Sequence, residues 1–291
     1  MIEVTLNDQY LRANPLPKHQ AGDKHSRGRV LIIAGHRDVP GAALLAGLGA
    51  LRAGAGVLRI ATCRTNAPHL GAAMPEAMVI SCSENSDGEI AGQNGQRLVD
   101  LALNSDAVLI GPGMLEETSI GELCAKLLEE VDGPHFVFDA AAFTSLRDIE
   151  LPRGQQGRIV CTPHCGEMAK FLNLDREEVE KDALGAARAT ARRLQAVIAM
   201  KGASTHVVSP QGEALLNDHG TIGLATSGSG DTLAGILTGL IARGTAPYLA
   251  TAWAVYMHAE AGRRLVHRGG PLGLLAREIP GEIPAIMREF D

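Results

Sequence analysis

Short apolar runs recur along this chain, at Arg29–Gly35, Val57–Thr62, Ala77–Ser81, Ala107–Ile110, Phe136–Ala140, Arg158–Thr162 and Ala196–Met200, with helical stretches between them. Strands that alternate with helices in this way imply a mostly parallel sheet covered on both faces, an α/β class. Thr205–Ser209 and Glu213–Leu216, split by Pro210-Gln211-Gly212, read as a hairpin that adds an antiparallel element at one side. The expected helices include a small-residue one from Gly41 to about Ala53, an amphipathic one at Ser119–Val131 and one long charged helix at Asp175–Gln195. A further long helix at Leu249–Val266 carries Trp253 and His258, both read as packing residues, and short helices are expected over Leu272–Glu278 and Ile283–Met287. Met1 to Lys24 reads as an arm or edge segment rather than core.

At 291 residues the chain has room for one large α/β domain or two small ones. It is 45% hydrophobic and only 3% aromatic, which suits a large core with close helix–sheet packing. A net charge of -6 argues against nucleic-acid and membrane-surface binding. No run is apolar enough to span a bilayer, and the first residues lack a signal pattern. Five cysteines without disulfide-like spacing fit a reducing, cytoplasmic setting. Cys161, His164 and Cys165 lack a second ligand pair nearby, which disfavours zinc.

The stretch Ala225-Thr226-Ser227-Gly228-Ser229-Gly230-Asp231 is a glycine-rich turn that feeds a buried helix through Leu233, Ile236, Leu237 and Leu240. The first turn of such a helix has unpaired N–H groups and a partial positive end, so it attracts anions. Asp231 beside that anion site has two readings: a helix cap, or a general base that takes a hydroxyl proton while the helix end holds the phosphoryl group under attack. Gly111-Pro112-Gly113, His164 and the Lys201-Gly202 turn each follow a strand, where ligands gather in open α/β sheets. The Lys201 turn could bind phosphate, but lacks P-loop spacing.

In order, Gly41-Ala42-Ala43, Gly111-Pro112-Gly113, Thr162-Pro163-His164-x-Gly166-Glu167, Lys201-Gly202-Ala203-x-Thr205, Asn217-x-x-Gly220 and Gly228-Ser229-Gly230-Asp231 resemble the ADP-dependent NAD(P)H-hydrate dehydratases of the ribokinase-like superfamily. The resemblance runs from about Lys24 to the C-terminus. It implies a single ribokinase-like three-layer domain over 1–291, with 1–23 as an arm. It also implies a reaction: ADP phosphorylates the hydroxyl of the S form of hydrated NADH or NADPH, phosphate leaves, and NAD(P)H, AMP and phosphate result, with Mg2+. By the same resemblance Ala42, Gly113, His164 and Asp231 contact the hydrated dinucleotide. Lys201, Gly202, Ala203, Ser204, Thr205 and Gly230 contact the adenine nucleotide, Asp231 is the base, and Gly228, Ser229 and Gly230 form the anion hole. The metal ligands are left unassigned. A homo-oligomer such as a tetramer is implied. The family also occurs fused to an epimerase domain, which the stretch before Lys24 is too short to hold, so an epimerase is expected on a separate chain.

The chain departs from the family pattern at Ala34-Gly35-His36, at Asp139-Ala140-Ala141-Ala142-Phe143, where a second carboxylate is replaced by Ala141, and at Thr226-Ser227-Gly228. Two other readings compete: an ATP-dependent small-molecule kinase of the same superfamily, and a catalytically silent nucleotide-binding protein.

Overall fold

The computed structural model describes residues 2–18 and 23–291. Its strands are β1 (Glu3–Thr5), β2 (Arg29–Ile33), β3 (Val57–Cys63), β4 (Met78–Cys82), β5 (Ala107–Ile110), β6 (His135–Phe138), β7 (Ile159–Cys161), β8 (Val197–Met200), β9 (Thr205–Val208) and β10 (Ala214–Asn217). The helices are α1 (Asp8–Ala13), α2 (Gly41–Arg52), α3 (Ala67–Ala73), α4 (Gly95–Leu103), α5 (Glu117–Glu130), α6 (Ala140–Ser145), α7 (Cys165–Leu172), α8 (Arg176–Lys181), α9 (Ala183–Leu194), α10 (Ser229–Ala242), α11 (Pro247–Gly269) and α12 (Ile279–Arg288). Among the described residues the strands form one 10-stranded sheet in the order β1-β10-β9-β8-β7-β6-β5-β2-β3-β4. Only the β9 pairings, with β8 and β10, are antiparallel.

Strand residues alternate between two cores. Val30 and Ile32 of β2 pack with α2, α10, α11 and α12 on one face, while Leu31 and Ile33 pack with α4, α5, α6, α7 and α9 on the other. This period of two across continuous apolar runs gives three layers with helices on both sides. The chain builds β3 and β4 outward from β2 and then returns to add β5 on the opposite side of β2. Such a reversal opens a crevice at the carboxyl ends of the strands.

Four expectations are corrected. The first segment is an edge strand, as read, but it also enters the core: Leu6 and Leu11 are fully buried. Met1 and residues 19–22 of the expected arm lie outside the described residues. The charged stretch is two helices, because Asp182 caps α9 through the Gly185 N–H (2.8 Å) and interrupts the helical run. The FVFDA strand stops at Phe138, since Ala140 turns left-handed with φ 50 and starts α6. Finally, Leu272–Leu275 is not helical; a 3-10 turn at Ala276–Glu278 leads directly into α12.

The helix that carries Asp231 is placed by backbone contact. Where α10 crosses α2, a Cβ on Gly235 would lie 2.0 Å from the Ala46 carbonyl oxygen, and one on Gly239 would lie 2.6 Å from that of Ala50. Only glycine lets the two helices approach this closely. Gly235→Ala should force them apart and cost about 1–3 kcal/mol, measurable as a lower urea midpoint with an unchanged slope. An unchanged midpoint would show that the contact is not a packing constraint.

Candidate active site

The carboxyl ends of β5, β6, β7 and β8 deliver Gly111, Asp139, Thr162 and Lys201 to one edge of the sheet, and α10 points its amino end at them. Gly228 is the N-cap of α10 with φ 85, a left-handed conformation suited to glycine. A Cβ there would lie 2.3 Å from Leu45 of α2. Asp231 is therefore the third residue of the helix and not its cap, which removes the capping reading. Of the expected anion-hole residues, Ser229 donates its N–H to the Thr226 carbonyl at 3.3 Å. The Gly230 N–H lies in the first turn, where no preceding helical carbonyl is available.

A cavity of about 750 Å³ opens beside this helix end. It is lined by Lys201, Gly202, Ala203, Thr205 and Gly230 of the expected nucleotide set, and by Ser229 and His164. Ser204 is not in its wall. Ala42, Gly113, Gly228 and Asp231 lie outside the cavity wall. Ala42 and Gly113 meet each other, since a Cβ on Gly113 would fall 2.7 Å from that of Ala42. The structure thus groups His164 with Lys201 rather than with Ala42 and Gly113. A backbone bridge joins His164 to Lys201, and the Lys201 N–H donates to the Pro163 carbonyl at 2.7 Å.

His164 also caps α7. Its Nδ1 accepts from the Gly166 and Glu167 N–H groups at 3.0 and 3.1 Å, while Glu167 Oε2 accepts from the His164 N–H at 2.8 Å. The reciprocal box fixes the ring and the carboxylate together. Nδ1 acts as acceptor, so the ring proton sits on Nε2, which faces Glu167 Oε1 at 3.3 Å.

Four charged groups meet here. The Lys201 Nζ donates to Asp139 Oδ1 at 2.9 Å and lies 3.9 Å from Glu167 Oε2. Burial works against the Lys201 charge, yet Asp139 and Glu167 outweigh it and hold the ammonium above its ordinary range. Asp231 is pushed up to about 7, first by burial and then by the charge on Asp139, with Lys201 opposing and Glu167 adding to the rise. A carboxyl so placed can accept a proton near neutral pH.

The sequence left Asp139, Thr162, Glu167 and His258 without a role in the site. Asp139 and Thr162 end strands at the ligand edge, and that position was the available signal. His258, read as packing, lines the cavity from α11 with Nε2 3.0 Å from both Ser229 Oγ and Ser229 O. Burial lowers it to about 4, so the ring is neutral at pH 7. The departures also find places. His36 is buried and donates from Nε2 to the Asp87 carbonyl at 2.6 Å, while Nδ1 accepts from the Asp38 N–H, so it ties two loops together. Ala141 lies in the first turn of α6, partly buried against the second core, two residues after Asp139. In the ligand-free protein Asp231 should titrate near 7, read from its carboxyl carbon shift. Lys201→Met removes the opposing cation and should move that midpoint upward. A midpoint near the ordinary carboxylate value of about 4 would mean a solvated group.

The family model described as NAD(P)H-hydrate dehydratase matches residues 30–285. The chain is 43% identical over 284 residues to an ADP-dependent (S)-NAD(P)H-hydrate dehydratase of Xanthomonas campestris, covering 97% of this chain and 96% of the relative. It is 34% identical to a bifunctional NAD(P)H-hydrate repair enzyme of Moorella thermoacetica, covering 95% of this chain and 52% of the relative, about half its length. Among solved structures, the ADP/ATP-dependent NAD(P)H-hydrate dehydratase of Bacillus subtilis, co-crystallized with ATP and Mg2+, superposes with a TM-score of 0.86 at 30% identity over 100% of both chains. With sequence and fold matched over nearly its whole length, this chain belongs to the NAD(P)H-hydrate dehydratase family.

Proposed function

We propose that the protein dehydrates the S form of hydrated NADH or NADPH at the expense of ADP, a lyase reaction that returns NADH or NADPH with AMP and phosphate. One observation carries this reading. A carboxyl group poised near neutral pH sits one residue along the helix from the wall of a cavity large enough for an adenine nucleotide. The relatives' names supply the substrates.

The nucleotide occupies the cavity with its terminal phosphoryl group at the amino end of α10, where the Gly230 N–H and the Lys201 ammonium offset its charge. The hydrated ring lies toward Ala42 and Gly113. Asp231 takes the proton of the substrate hydroxyl as its oxygen attacks the terminal phosphorus, and AMP leaves. The phosphorylated oxygen then departs as phosphate with its bonding electrons. A proton lost from the neighbouring ring carbon restores the double bond. Phosphorylation converts a poor leaving group into a good one.

The protein's own donors do not fit a resident Mg2+. Among the described residues no cluster of three or more acidic, His or Cys side chains is arranged to hold an ion, and the ammonium of Lys201 already occupies the space between Asp139 and Glu167. A Mg2+ arriving with the nucleotide would take its ligands from the phosphates.

The test is hydrated NADH incubated with ADP and Mg2+, followed by the return of reduced-nicotinamide absorbance and release of phosphate. A stable phosphorylated product in place of phosphate would place the protein among the kinases. Asp231→Ala should lower turnover by about a hundredfold or more while ADP binding stays close to wild type; undiminished turnover removes the base assignment. Lys201→Ala should weaken ADP binding roughly tenfold, the loss of one charge-assisted contact. An unchanged ADP dissociation constant counts against that contact.

A further inference from the structure

We propose that Asp139 is a positioning residue, which aims the Lys201 ammonium at the nucleotide phosphates and keeps it from pairing with Asp231. The inference rests on the phosphoryl-transfer reading above. The geometry behind it is a built site. Asp139 Oδ1 accepts from Thr162 Oγ1 at 2.6 Å and from Lys201 Nζ at 2.9 Å, and its side chain is 4% exposed against 18% for Lys201. The backbone is shaped around it. A Cβ on Gly111 would lie 1.9 Å from the Asp139 carbonyl oxygen, and Ala140 holds φ 50, a conformation that a residue with a Cβ adopts at a cost. Residues after β7 and β8 thus fix one carboxylate oxygen of Asp139, while Gly111, after β5, packs against its backbone.

The fixed ammonium points across the helix end. A Cβ on Gly230 would lie 3.2 Å from Lys201 Nζ, so the cation stands over the first turn of α10 on the cavity wall. Among the described ion pairs Lys201 joins Asp139 and Glu167, not Asp231. A lysine stem is flexible and its ammonium is a compact charge that takes whichever carboxylate is nearest. Without Asp139 its remaining neighbours are Glu167, already held in the box with His164, and Asp231, which then competes for it. The base would then be held ionised in an ion pair, and the phosphates would lose a cation.

Asp139→Asn keeps the shape and removes the charge. The groups facing Asp231 are Asp139 from β6, Lys201 from β8 and Glu167 from α7. Losing the Asp139 charge lowers the Asp231 pKa, and a released Lys201 lowers it further. The acid limb of the kcat/KM profile should therefore move to lower pH by about one unit, while the ADP dissociation constant rises about tenfold. In the Lys201→Ala background Asp139→Asn should add less than twofold to the ADP loss, because both act through one ammonium. An unmoved acid limb, or losses in ADP affinity that multiply, would reduce Asp139 to a structural ion pair and overturn the proposal. If Asp139→Asn does not fold, Thr162→Val frees the same carboxylate oxygen of one partner. It should shift ADP affinity only where Lys201 is present, and equal shifts in both backgrounds overturn the proposal. If the wild type binds ADP yet never converts hydrated NADH, the functional reading fails alone. The ADP measurements and the Asp231 carbon titration still decide the role of Asp139.

Discussion

The site depends on two helices that touch through their backbones. Glycines on α10 remove the side chains that would hold it away from α2, so α10 lies against α2 and over the parallel strands, with its amino end fixed at the sheet edge. Helix-end electrostatics act only within the first turn. A displacement of a few ångströms would carry the Gly230 N–H and Asp231 away from the Lys201 ammonium. Tight packing in one layer is therefore the condition for chemistry at the edge of another.

Within that frame, charge is distributed unevenly. Three carboxylates face a single ammonium, and burial strengthens every interaction among them. The arrangement separates their tasks. Asp139 is ion-paired with Lys201, Glu167 is committed to the box with His164, and Asp231 has no ion-pair partner among the described residues. Burial first, and then the Asp139 charge, raises the proton affinity of Asp231 into the neutral range. This is a general way to obtain a base from a residue type that ordinarily ionises near pH 4.

Of the three expected departures from the family pattern, two lie in support structure, while the third leads into α10, where Thr226 lines the cavity and Gly228 is the N-cap. His36 ties the loop after β2 to the segment around Asp87, and Ala141 sits in a helix turn beside the core. Neither lines the cavity.

The sequence by itself determined the α/β class, the hairpin, the buried glycine-led helix and the strand ends where ligand-facing residues gather. Those features follow from local periodicity and from turn chemistry that acts over a few residues. It did not determine that Asp231 lies inside the helix and not at its cap, because cap geometry depends on the φ of Gly228, and Leu45 of α2 bounds the space there. Nor did it show that His258, 29 residues beyond Ser229, reaches back to the first turn of α10. The pairing of Asp139 with Lys201, 62 positions apart, was equally hidden. Tertiary structure alone decided those contacts, since strand order, and not chain order, sets which carboxylate meets which cation.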